Sequence, residues 1–167
     1  MRVKTITLLG ILIGGLSPFA YAAEADPVRI HLKWQYSELK TQMEVYEPKS
    51  RPRQRVWKMR SVKEWARVPV TTRLQDDSFD ILPGTAKRVV LVMRNDSDQP
   101  LRFMAAPHEA EPLGGKNPRF RFKCLCVHQT FVIKPREIWY RVVELRAAPV
   151  VADKEITLTH TLMGVPN

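Results

Sequence analysis

Short runs of alternating apolar residues, separated by clusters of turn-forming residues, constrain the fold of this chain more than any other feature. The first run places Val28, Ile30, Leu32 and Trp34 at every second position. Alternate side chains of a strand point to the same face, so this period predicts a half-buried strand. Further candidate strands cover residues 43–46, 87–94, 101–106, 120–127, 129–133, 138–145 and 155–163.

Turn signals and prolines separate these runs. Pro83-Gly84 and the cluster 95–100 predict turns, and three prolines with two glycines predict a loop over 107–118. The 13 prolines of the chain disfavour helices. One capping-box spacing at 61–64 predicts a short helical turn, although 65–74 fits a strand equally well. The sequence therefore predicts an all-β domain, an immunoglobulin-like antiparallel β-sandwich.

The N-terminal residues have the pattern of a signal peptide. Arg2 and Lys4 precede an apolar run over 6–16, and residues 20–22 form an A-x-A cleavage site. Glycine, serine and proline interrupt the run, which argues against the alternative of an uncleaved anchor because a span needs roughly 20 apolar residues. We expect a signal peptide over 1–22 and a soluble periplasmic product. We expect one domain after the signal peptide. Residues 23–78 would contribute its N-terminal strands and a basic connecting segment, and residues 79–167 would form the rest of the sandwich.

The chain is basic, with 27 Lys and Arg against 17 Asp and Glu and a formal charge of +10. Removal of Arg2 and Lys4 would leave +8. Export makes nucleic acid the least expected partner, whereas an anionic membrane surface or an acidic protein fits. The alternative is an ordinary solvated face. Eight basic residues cluster against one acid, Glu64: Lys49, Arg51, Arg53, Arg55, Lys58, Arg60, Lys63 and Arg67.

The two cysteines of the chain, Cys124 and Cys126, are separated by one residue. A disulfide between them would close almost no loop and would stabilise little. On a strand, both sulfurs would lie on one face with Cα atoms roughly 6.6 Å apart. Two soft thiolates suit Cu(I), whereas zinc usually takes four ligands. The spacing therefore predicts a Cu(I) site, and the alternatives are a buried apolar pair or a strained local disulfide.

Four other side chains are candidates to complete such a site. His128 is two residues beyond Cys126 and would share its face, as a ligand or as a hydrogen-bonding neighbour of one. Met104 is expected in the core, His108 in the proline-rich loop and His160 on a strand, which makes them weaker candidates. The chain lacks a G-x-S-x-G motif, an H-E-x-x-H motif and a glycine-rich phosphate loop, so we expect no enzyme.

Several motifs in residues 82–164 occur in a particular order. They are Leu82-Pro83-Gly84, Asn95-Asp96-Ser97-Asp98-Gln99-Pro100, Lys123-Cys124-Leu125-Cys126-Val127, Gln129, Ile133-Lys134-Pro135-Arg136-Glu137 and Ile156-Thr157-Leu158-Thr159-His160-Thr161. In this order they resemble the CtaG family, the copper-delivery assembly factors of cytochrome c oxidase. The resemblance implies an immunoglobulin-like domain that carries copper on Cys124 and Cys126. Residues 79–167 would then form the copper-chaperone-like part of the sandwich.

This chain departs from the family pattern at several positions. Leu125 and Val127 stand where the family has phenylalanines, and Arg136 stands where it has the glycine of a turn. The family's membrane anchor and a further cysteine near it have no counterpart. These differences favour a divergent, soluble relative.

The leading hypothesis is a non-enzymatic metallochaperone that passes Cu(I) to an apo copper enzyme at the membrane. The resemblance suggests a cytochrome c oxidase subunit as recipient. Two copies meeting at the cysteine strand could bridge copper with four thiolates, which would give a homodimer. The rival hypothesis is a structural or binding β-sandwich that docks through its basic face and uses the cysteines for packing or as a redox pair.

Overall fold

The structure, a computed structural model, describes residues 26–49, 59–112, 120–123, 125, 129–151 and 153–166. In these residues the chain forms strands and two 3-10 turns, at Trp65–Arg67 and Gln75–Asp77. The prediction of an all-β chain is confirmed. The strands are β1 Val28–Ser37, β2 Met43–Pro48, β3 Met59–Val62, β4 Val70–Arg73, β5 Ser78–Ile81, β6 Ala86–Arg94, β7 Leu101–Ala105, β8 Glu109–Glu111, β9 Phe120–Lys123, β10 Phe131–Ile133, β11 Ile138–Ala147 and β12 Glu155–Gly164.

The strands form two sheets, consistent with the predicted sandwich. The first sheet has the order β10-β7-β12-β1-β5, with β8 also paired to β12. The second has the order β3-β11-β6-β2-β4, with β9 also paired to β11. The first and last strands, β1 and β12, pair in parallel, whereas the other described pairings are antiparallel. Apolar alternation identifies the buried face of a strand but not its neighbour, so the parallel pair was not predicted.

The inward faces of the two sheets share one core. Ile30 of β1 and Leu91 of β6 are fully buried in it, so both sheets contribute. At one end three aromatic rings pack together: the Phe103 and Phe131 centroids are 4.9 Å apart, and Trp139 meets them edge-on at 5.6 and 5.7 Å. Tilted and offset arrangements of this kind are the favourable ones for aromatic pairs.

A second apolar cluster lies on the outer face of the second sheet. Val90 and Val92 of β6 belong to it, together with Ile138, Tyr140 and Val142 of β11. The connection between β3 and β4 packs on this face through the buried Val68, and the half-buried Val62 of β3 and Val70 of β4 pack against the same cluster. Strand β11 is therefore apolar on both faces, which is typical of a strand covered on both sides.

The structure corrects three local predictions. A helical turn beginning at Ser61 is wrong, because Ser61 lies in β3 and the 3-10 turn begins only at Trp65, without a side-chain cap. The loop predicted over 107–118 contains β8, which pairs with β12. Met104 does not lie in the core: it is half-buried on the outward face of β7, opposite Met163 of β12.

Among the described residues, none belongs to a helix long and apolar enough to cross a membrane. The predicted signal peptide lies outside the described residues.

Candidate metal centre

The three predicted ligands, Cys124, Cys126 and His128, lie outside the described residues. The structure does describe the residues on either side of them and Leu125 between the two cysteines. The described residues Lys123, Leu125 and Gln129 therefore give the nearest fixed points to the two cysteines in what is here called the cysteine segment, residues 124–128.

Both flanks of the cysteine segment lie along the same strand. Before it, Lys123 of β9 is in register with Glu144 of β11. After it, the side-chain amide of Gln129 donates a hydrogen bond to the sulfur of Met59 at 3.4 Å, and Met59 of β3 is in register with Arg141 of β11. Strands β9 and β3 thus occupy successive parts of one side of β11. The cysteine segment connects two points at this edge of the second sheet.

Leu125 fixes the middle of the segment. Its side chain is fully buried and belongs to the main core. Burial of a leucine side chain stabilises the folded state by about 1.5–3 kcal/mol relative to exposure. The residue between the two cysteines is therefore attached to the sandwich.

A buried carboxylate shared by two arginines stabilises the end of β11 where β9 pairs. Arg88 and Arg146 each donate a hydrogen bond of 2.8 Å from Nε to different oxygens of Glu144, whose side chain is 6% exposed. Burial alone would raise the pKa of Glu144, but the two arginine hydrogen bonds and charges outweigh it and lower that pKa. Charge-assisted bonds of this kind are about twice as strong as neutral ones.

A second charge beside this edge lies inside the sandwich. Arg141 is 3% exposed and occupies an inward-facing position of β11, between Trp139 and Val143. Its guanidinium carbon lies 5.9 Å from the ring centroid of Phe131. Arg141 was not predicted from the sequence as a functional residue. The sequence does indicate that Arg141 is buried, since it alternates with apolar residues that the strand pattern assigns to the core.

Met59 is a second residue at this edge that was not predicted from the sequence. Its side chain is 40% exposed, and its thioether contacts Gln129 at the end of the cysteine segment. Thioethers are soft ligands of the kind that Cu(I) prefers. The residue lies within the basic stretch, between Lys58 and Arg60, where its neighbours gave no indication of a site.

The other sequence candidates lie in the first sheet. The imidazole of His160 on β12 is fully buried, and that of the half-buried His108 packs beside it with ring centroids 5.3 Å apart. Trp34 of β1 packs on the other side of His160, at 5.1 Å. Met104 faces outward and does not join them. In the part of the chain that the structure describes, no three His, Cys, Asp or Glu side chains come together as a metal site.

Comparison with known proteins gave one match. The family model described as Domain of unknown function (DUF8709) matches residues 28–165. This range begins at β1 and ends one residue after β12, so it covers the whole described sandwich. No curated protein and no solved structure matched the chain.

Proposed function

Because this chain belongs to the family described as Domain of unknown function (DUF8709), whose description names no activity, we propose a function from its own residues. The protein is a non-enzymatic metallochaperone that binds Cu(I) through Cys124 and Cys126 and passes it to an apo copper enzyme at the membrane. The observation that carries the proposal is the anchoring of Leu125 between the two cysteines, at the edge of a sheet.

The burial of Leu125 supports a two-sulfur site because it anchors the residue between the two cysteines. Leu125 lies in a bend two residues after β9 ends, with its side chain in the main core. A leucine held there restricts the backbone on both sides of it, which favours two cysteine sulfurs close enough to share one ion. Two soft thiolates at a sheet edge suit Cu(I), which accepts few ligands and can pass to other thiolates by exchange.

The setting of the site supports delivery rather than storage. The flanking Met59 is exposed, so a partner could reach this edge of the sheet. The resemblance to the CtaG family suggests the copper centre of cytochrome c oxidase as recipient. Delivery there fits export to the periplasm, which we propose from the N-terminal signal pattern. A second copy meeting the first at this edge could share copper through four thiolates.

Copper binding is tested by anaerobic competition titration of the reduced protein with a Cu(I) chelator. Either Cys124→Ser or Cys126→Ser should lose most of the affinity, because a hydroxyl is a hard, poorly ionised ligand for a soft ion. Affinity should also fall with acid, since thiols must lose protons to bind. Sizing of apo and loaded protein tests the copper-bridged dimer.

The matched control is Ser61→Cys combined with Cys124→Ser, which keeps two thiols in the chain but separates them. Ser61 is exposed on β3, so the substitution should be tolerated. Affinity equal to wild type in this variant, or in either single serine variant, would contradict a paired-thiolate site. The rival structural role for the sandwich would then stand.

A further inference from the structure

A row of three rings crosses the inner face of the first sheet. Trp34 of β1, His160 of β12 and His108 lie side by side, with ring centroids 5.1 and 5.3 Å apart. The sequence pattern predicted His160 on a strand and His108 in a loop, with no contact between them. The fold instead brings the two imidazoles together.

The position of His160 follows from the register of β12. Ile156, Leu158 and Leu162 of this strand are buried in the core, and His160 shares their alternation. Its own side chain is fully buried. An imidazole at a core position of a central strand is unusual, because buried polar side chains are costly to desolvate.

The position of His108 follows from a break between two short strands. Strand β7 pairs with β12 at residues 162–164, and β8 pairs with it at 157–159. His108 lies in the connection between them, and the Ala106 amide donates to the Thr161 carbonyl at 2.9 Å beside it. The connection therefore places His108 next to the buried His160, and solvent reaches the half-buried His108 side chain.

Trp34 fixes the other side of the pair. Its indole nitrogen donates a 2.9 Å hydrogen bond to Asp77, which holds the ring in place. His160 is thus confined between a fixed indole and the second imidazole. Confinement of this kind reduces the conformational entropy that a metal ligand would lose on binding.

We propose that His108 and His160 form a metal site for a divalent copper ion, separate from the cysteine segment. Metal–imidazole nitrogen distances are about 2.0–2.1 Å, so two rings at neighbouring positions of one ion, with ligand angles of about 90–110°, have centroids about 4.5–5.3 Å apart. The observed 5.3 Å fits this arrangement. Imidazole suits Cu(II), which also binds nitrogen sites more tightly than the other first-row divalent ions. Solvent molecules would complete the coordination from the His108 side.

The test uses the mature chain carrying Cys124→Ser and Cys126→Ser, so that copper on thiolates cannot contribute. Copper(II) sulfate is titrated and followed by electron paramagnetic resonance, which reports nitrogen ligands directly. His108→Ala should weaken binding at least about 10-fold, since even outer partners of metal ligands typically account for that much. Copper should also raise the thermal midpoint, and His108→Ala should abolish the increase.

Two control variants make the result specific. His31→Ala alters a half-buried histidine of the same sheet that bonds Ser78 instead, and it should bind copper like the parent. His128→Ala should do the same. His160→Phe keeps the volume of the core position and should lose binding as His108→Ala does, with circular dichroism showing that both remain folded.

Equal copper affinity in the parent and in folded His108→Ala would overturn the proposal. Loss of binding in His128→Ala would also overturn it, because the ion would then belong to the cysteine segment. Failure of the two-histidine proposal would not count against Cu(I) binding by Cys124 and Cys126, because the parent protein in this test carries serine at both positions.

Discussion

At the scale of single residues, two residues occupy environments that are unusual for their type, Arg136 in its backbone conformation and Glu144 in its burial. Arg136 has a φ of 57°, in the left-handed region that favours glycine, at the turn before β11. Its side chain donates a 2.9 Å bond to Asp98, and its amide donates to the Ser97 carbonyl at 3.2 Å. These contacts hold the turn before β11 against the steric cost of a side chain in that conformation.

Glu144 is the second such residue, because it is buried with a charge that two arginines share. Glu144→Gln should destabilise the protein by about 1–3 kcal/mol at neutral pH, since it weakens two charge-assisted bonds in a buried place. The pKa of Glu144 is lowered from the ordinary 4.5. Its stabilisation is therefore complete above that value and is lost as pH falls through the lower folded pKa.

Urea unfolding of wild type and Glu144→Gln between pH 3 and 7 measures this effect. The difference in unfolding free energy should shrink as the pH falls below 4.5. Glu109→Gln, at an exposed position of β8, is the control and should show little difference at any pH. A constant penalty for Glu144→Gln across the range would contradict the charge-sharing account.

At the scale of elements, the cysteine segment depends on Leu125 for its attachment to the core. Leu125→Ala should destabilise the protein by about 2–5 kcal/mol, the usual range for a buried leucine. Val132→Ala, at a half-exposed position of β10, is the control and should stay within about 0.5 kcal/mol of wild type. Urea unfolding gives both values. Equal costs for the two variants would mean that Leu125 does not anchor the segment.

The sequence predicted the strands better than it predicted their partners. Alternation found β1, β6, β11 and β12, whose apolar faces are long enough to be unambiguous. It missed β8, because Glu-Ala-Glu has weak strand propensity and forms a strand only through its pairing with β12. The pairing of β1 with β12 brings together the two ends of the described chain, and no local pattern specifies so distant a contact.

The candidate sites also show that local sequence patterns do not predict contacts between distant parts of the chain. The spacing of Cys124 and Cys126 was readable in the sequence, but the strand predicted over 120–127 was too long, because β9 ends at Lys123 and Leu125 lies in a bend. The His108–His160 pair was not readable, since it depends on the break between β7 and β8. Met104 was predictable as outward-facing from the alternation of Leu101, Phe103 and Ala105, a signal that the core assignment overlooked.

At the scale of the whole molecule, the described part of the basic stretch covers an apolar face and exposes its charges. Val62 and Val68 pack on the outer face of the second sheet, while Arg60, Lys63 and Arg67 are exposed. Arg67 has a 3.7 Å ion pair with Glu64, and both side chains are largely exposed. The stretch thus combines a structural role with a charged outer surface, which we propose as a docking face for an anionic membrane.

Reversal of Arg60, Lys63 and Arg67 to Glu should weaken binding to vesicles of phosphatidylserine and phosphatidylcholine by more than about 100-fold, since each basic residue near such a surface contributes about 1 kcal/mol. The control reverses Lys33, Lys40 and Lys154, which are exposed elsewhere. Binding should also weaken as salt shortens the Debye length below about 8 Å. Equal losses in the two triple variants would indicate attraction by net charge alone.

The central claim is that Cu(I) binds to the paired thiolates of Cys124 and Cys126. The most direct measurement loads the reduced protein with Cu(I) without oxygen, removes free copper by desalting, and records copper content with the X-ray absorption spectrum. The wild type should retain copper with sulfur scattering, and the Cys124→Ser, Cys126→Ser double variant should retain little. Equal retention by the two proteins, or a copper spectrum without sulfur ligands, would contradict the proposal.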